Sequence, residues 1–218
     1  MNSEEKRLTM RKVLSIFVVS VAMIALSTAA FAGTQATNTN TVSPTLQLSI
    51  NIQKAVRLTL STGTAAVTHC AVVNNGGNPD YTMNLGTGDA LGINAGNCNL
   101  FGPTNPGVDS AIYWSDYNLT PVFTNQTTTN NTITAQVTTN FTAANASIVR
   151  DSANSATVPA SAASFTAMGV AAADTIATNA TNATALTRFI GVAIAPTNGA
   201  GTLTGAQSAT VTFTLTVQ

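Results

Sequence analysis

Charge is what this sequence holds least of: Lys, Arg, Asp and Glu together make up 7% of the chain. Four of the eight cations and both glutamates, Glu4 and Glu5, fall in the first twelve residues. Beyond them only Lys54, Arg57, Arg150 and Arg188 stand against six aspartates. Four scattered cations make no basic patch, which excludes nucleic acid as a partner held by phosphate neutralisation. Histidine occurs once, at His69, and there is no D-x-D-x-D-G run, so neither a metal nor a cofactor is expected. The G-x-S-x-G, H-E-x-x-H and phosphate-loop patterns are missing too. Asp80, Asp89, Asp109, Asp116, Asp151 and Asp174 read as turn or surface residues, and no pair of them argues for a glycosidase. No enzyme is expected. Aromatic residues make up only 6%, and the single Trp114, with Tyr113 and Tyr117, reads as core rather than as a sugar-stacking platform. A chain this poor in charge draws its solubility from Thr, Asn, Ser and Gln. Its surface does not repel its own copies, which favours self-association.

The amino terminus has the layout of an export signal. Lys6, Arg7, Arg11 and Lys12 precede the apolar stretch Val13 to Leu26, and Ala30-Phe31-Ala32 supplies an A-x-A site. Residues 1–32 are therefore expected to be removed before Gly33. A membrane anchor is the alternative, but the apolar stretch falls short of the roughly 20 residues a span requires. No membrane span is expected in the mature form, and its place is outside the cell. Cys70 and Cys98 are the only cysteines. In an exported chain they are expected to form a disulfide, the alternative being two buried thiols.

What the sequence has in strength is alternation. From Thr45 to Leu60 the even positions Leu46, Leu48, Ile50, Ile52, Val56, Leu58 and Leu60 are apolar and only Lys54 breaks the series, while the odd positions are almost all polar. A period of two means an extended strand with one dry face. Fully extended, such a run spans roughly 50 Å at about 3.3 Å per residue, far beyond an ordinary strand. Either it bends near Lys54 inside its own fold, or its first half is buried in another molecule. The polar leader Gly33 to Ser43 ahead of it has no periodicity.

Further strands are expected at Tyr81 to Leu85, Ala111 to Ser115, Leu119 to Thr124, Thr132 to Thr138, Phe141 to Arg150 and Leu186 to Ala195. Asp116-Tyr117-Asn118 is read as a break between the second and third of these. The closing segment alternates most clearly, with Val211, Phe213, Leu215 and Val217 against four threonines. Asp151 to Ala185, rich in Ala, Ser and Thr, reads as loop with one short helix within Pro159 to Met168. Many short strands between Gly, Asn and Pro turns indicate an all-β chain, an antiparallel β-sandwich. A membrane barrel, the rival, lacks here its aromatic girdles and terminal aromatic.

An export signal, a polar leader, an alternating N-terminal strand, one Cys pair and an alternating last strand together resemble the chaperone–usher pilins and the spore coat U-like secreted proteins. Two features differ: the first Cys follows the long strand, and the penultimate residue is Val217 where pilins carry an aromatic. The resemblance implies an Ig-like, pilin-like sandwich over residues 54–218, preceded at 33–53 by a leader and donor strand. It further implies a fimbria-like filament polymerised head to tail, with a periplasmic chaperone and an outer-membrane assembly protein as partners. Leu46, Leu48, Ile50 and Ile52 would be the donated side chains, and Val211, Phe213, Leu215 and Val217 the closing strand beside the groove. The competing expectation is a monomeric secreted adhesin or biofilm-matrix protein whose long strand bends inside its own fold.

Overall fold

Most segments that alternate Val, Ile, Leu and Phe with Thr and Asn become strands, although residues 46–51, expected to begin one long strand, belong to none, and every strand pairing among the described residues is antiparallel. The computed structural model describes residues 46–51, 53, 55–124, 131–196 and 205–217. Its strands, in chain order, are β1 (Ala55–Thr62), β2 (Val72–Asn74), β3 (Tyr81–Met83), β4 (Asn99–Phe101), β5 (Ala111–Thr124), β6 (Thr132–Thr139), β7 (Ala146–Asp151), β8 (Phe165–Ala167), β9 (Asp174–Thr178), β10 (Leu186–Ile194) and β11 (Thr210–Thr216). A six-stranded sheet runs β1-β5-β10-β7-β8, with β4 also on the edge of β5. A second sheet runs β11-β6-β9, and β2 pairs with β3. The signal segment, the leader, Ile52 and Lys54 lie outside the described residues.

β5 organises the molecule. It is one strand of 14 residues, not two strands around a turn as expected, and Asp116, Tyr117 and Asn118 sit in its middle paired to β10. Residues 111–119 are all buried, because both faces of the strand are covered. Tyr117 and Leu119 join a core with Ile133, Ala135 and Val137 of β6 and Ile176 of β9, so both larger sheets feed one apolar interior. Ile112 and Trp114 belong to a second cluster with Val149 and Phe189, where Phe101 stacks on Trp114 at 5.2 Å and the Phe189 ring meets it edge-on. Trp114 and its tyrosine neighbours are thus interior residues, 2–4% exposed. Pro121 lies past the point where β10 stops pairing, so β5 there has a strand partner only in β1.

The Ala- and Ser-rich stretch after Asp151 corrects a second expectation. It contains a single 3-10 turn, Ala162–Ser164, and two strands, β8 and β9. β7 starts at Ala146, later than expected.

Register fixes the direction of each strand. Ala55 pairs with Thr124, so β1 starts where β5 ends. This end will be called the amino pole. Asn131 exchanges hydrogen bonds with Ala180, and Asn182 accepts the Phe123 N–H, which puts the start of β6 there too. Thr216 pairs with Thr132, so β11 runs toward the amino pole. The opposite, loop pole holds the start of β5, the end of β10 and the start of β7.

Candidate assembly site

β1 borders one sheet and β11 the other. Each is hydrogen-bonded on one side only, yet their Cα traces come within 8 Å of each other. Their directions are opposed, as an antiparallel ladder would need, but no ladder joins them. The result is an unclosed seam between two strand edges. Leu58 and Leu60 of β1 and Val211, Phe213 and Leu215 of β11 pack against the shared core from this side and stay only partly buried. The Phe213 ring sits 5.5 Å from that of Tyr117, so the seam opens onto the core itself.

An edge strand offers unpaired N–H and C=O groups to any incoming chain, and proteins usually blunt such edges. β9 is blunted: Asn154 Nδ2 donates to the Thr175 carbonyl at 3.0 Å and Arg188 Nε to that of Ile176 at 3.2 Å. β8, the edge beyond β7, has only three residues. β11 has seven residues, no charge and no proline, and its one irregularity lies at its start, between Thr210 and Val211. With the eight-residue β1, which carries Arg57, it is one of two long edges among the described strands, and the uncharged one.

The predicted site residues fall into two groups. Leu46, Leu48 and Ile50 are 83, 86 and 85% exposed, and residues 46–51 belong to no strand or helix. Ile52 lies outside the described residues. Val211, Phe213 and Leu215 share the inner side of β11, and Val217 follows one residue beyond its end, partly buried. In β1, Leu58 and Leu60 face the core whereas Val56, nearest the start, is 52% exposed. Cys70 and Cys98 are joined in a disulfide, with their Cα atoms 5.4 Å apart.

One pairing had no signal in the sequence. Asp116, expected in a turn or at the surface, has a fully buried side chain that accepts from the Ala65 N–H at 2.8 Å and lies 2.7 Å from His69 Nδ1. Gly63 passes so close that a Cβ there would collide with the carboxylate. The neighbouring Ser115 Oγ accepts from the Cys70 N–H at 2.9 Å. Together these bonds pin residues 63–70 against β5. His69 also borders a shallow cavity with Thr82, Asn84 and Asn97. Among the described residues no hydroxyl or thiol is hydrogen-bonded to its ring, whose partner is Asp116. No group of three His, Cys, Asp or Glu among the described residues could hold a metal ion.

Arg150, Asp174, Arg188 and Asp89 are held within the fold as well. Arg150 donates to Asp174 at 3.2 Å, and this bond, with one from the Gly169 N–H, holds the Asp174 carboxyl below the usual range. Burial pushes the Tyr117 hydroxyl pKa strongly up and the neighbouring Arg188 guanidinium pKa down. The Asp89 carboxylate is held below its usual value by backbone N–H groups, first that of Asn94, with Ile93 and Leu91 adding to it. Those bonds wrap the chain from Asp89 to Asn94 into a fixed loop, which Tyr113 anchors by accepting from the Asp89 N–H and donating to the Asn94 carbonyl.

No protein-family profile matches this chain, and neither the curated proteins nor the solved structures contain a match to it.

Proposed function

We propose that this protein is the structural subunit of an extracellular, fimbria-like filament, joined by strand donation between copies. In this reading the two larger sheets form a pilin-like sandwich that lacks one strand, and the strand's place is the free edge of β11, from which β1, now within 8 Å, must part to about twice the usual strand spacing. The segment Leu46 to Ile52 of a second copy fills it, adding a ladder to the free edge of β11 and covering the half-buried Phe213 and its neighbours. The observation that carries the reading is a matched pair: an alternating apolar run exposed by more than 80% at Leu46, Leu48 and Ile50, and an open, uncharged strand edge over the core of the same chain. Each has what the other needs. The near absence of charge supports it, because packed copies then meet no electrostatic opposition. The signal-like amino terminus supports export.

The test is deletion of residues 33–53 from the mature chain. The shortened protein should fold, with a cooperative melt and a β-type circular dichroism spectrum, and should form no filaments. A shortened protein that does not fold would show that the segment belongs to its own domain, as the monomeric adhesin requires.

A further inference from the structure

Strand donation through a short connector forces a second contact, and the topology says where it falls. Between the last donated side chain, Ile52, and the first residue of β1, Ala55, lie only Gln53 and Lys54. At about 3.5 Å per residue this connector reaches at most roughly 10 Å. The donor's own domain must therefore abut the mouth of the groove it fills, with its amino pole leading.

Which pole of the host it meets depends on the direction of the donated strand. β11 runs from the loop pole to the amino pole. A strand inserted parallel to β11 would end at the host's amino pole, bringing two amino poles together. Each copy could then serve the other, and the assembly would close as a two-fold dimer. A strand inserted antiparallel to β11 ends at the host's loop pole. Amino pole then meets loop pole, the contact is heterologous, and the chain of subunits stays open. A filament therefore requires the direction antiparallel to β11, which lays the donated strand parallel to β1 across the seam.

The loop pole is built for contact. Val108, in the turn between β4 and β5, is 69% exposed, and Leu91 and Ile93 are 51 and 79% exposed. The two loops touch, because Gly92 lies against Gly102 and Pro103. The loop carrying Leu91 and Ile93 is held by Asp89 through the N–H groups of Leu91, Ile93 and Asn94 at 2.7–3.2 Å. Three large apolar side chains thus stand outward on a fixed base, with little ordering left to oppose their burial. On the other side of the contact, the amino pole offers Val56, half exposed at the start of β1.

We infer that Leu91, Ile93 and Val108 at the loop pole form a second interface, which receives the amino pole of the next copy of this chain, around Val56, when that copy's strand fills the seam. This inference rests on the strand-donation reading above. Its test is photo-cross-linking in the full-length mature protein, assembled from an equal mixture of unlabelled and 15N-labelled subunits so that mass spectrometry separates links between copies from links within one. One sample carries p-benzoylphenylalanine in place of Ile93, the other in place of Leu48. The expected result is an inter-copy link from position 93 to residues 55–57, and one from position 48 to residues 211–215. If position 48 links to another copy's β11 while position 93 links to no residue of another copy, or to another copy's loop pole, the second interface is refuted and strand donation stands. If position 48 links only within its own chain, both fall.

Discussion

Leu48→Ala separates the two possible roles of the alternating strand, because they predict opposite effects on the monomer. Leu48 is 86% exposed in the single chain, so truncating it removes almost no contact and the monomer's melting temperature should stay within a degree. In the assembled form the side chain would be buried between β1 and β11. Removing three carbons from a buried leucine then costs about 2 kcal/mol from the lost transfer term alone. At about 1.4 kcal/mol per tenfold, the concentration needed for polymerisation should rise roughly thirtyfold. Leu48→Asp should abolish assembly outright, because a carboxylate placed over Phe213 and Tyr117 has no partner in the core. The assay is seeded elongation of purified subunits followed by light scattering, alongside a thermal melt of the unassembled protein. A variant that lowers the monomer's melting temperature by several degrees, or that elongates like the parent, refutes the reasoning.

Three further perturbations test the domain that holds the seam. Asp116→Ala leaves the Ala65 N–H and His69 without their acceptor under a buried strand, and should cost about 3 kcal/mol, read as a lower urea midpoint. Replacing Cys70 and Cys98 together by Ser frees a loop with a sequence separation of 28. The chain-entropy relation gives a loss of about 3.5 kcal/mol, visible as a lower melting temperature. Asp174 is held below its ordinary value of 3.8 mainly by Arg150, so its contribution is complete above that value and is lost as pH falls through the folded pKa. The gap in urea midpoint between the parent and Asp174→Asn should therefore be wide at pH 6 and narrow at pH 2.5. A gap that widens in acid would contradict the assignment.

How far the sequence discloses this fold depends on the contrast between the two faces of each strand. β6 and β11 carry apolar residues on one side and threonines or other polar residues on the other, and they stand where alternation places them, as does β10, although its second face also holds the buried Phe189. β5 is buried on both faces, so its alternation is masked, and its polar residues mimic a turn. Asp116 is in fact satisfied by His69 and the Ala65 N–H, and the Asn118 amide oxygen accepts from Thr187 Oγ1 at 2.8 Å. None of these partners is near in sequence, so no local pattern reveals them. β8 and β9 escape notice because Ala, Thr and Ser differ little in polarity from face to face; β9 is held by pairing with β6 and by burial of the single Ile176. Of the candidate site, the alternating run Leu46 to Ile52 proposed to be donated and the last strand are both legible as periodicity. That β1 and β11 lie side by side without a ladder is a property of topology, which pairs residues more than a hundred positions apart.

The most direct measurement is cryo-electron microscopy of filaments sheared from the surface of the producing cells, at a resolution that shows side chains. Strand donation predicts continuous density for Leu46 to Ile52 running antiparallel to β11 of the neighbouring subunit, with the four apolar side chains turned toward Phe213 and Tyr117. Filaments in which that segment pairs with its own domain, or a protein found only as separate particles, would contradict it.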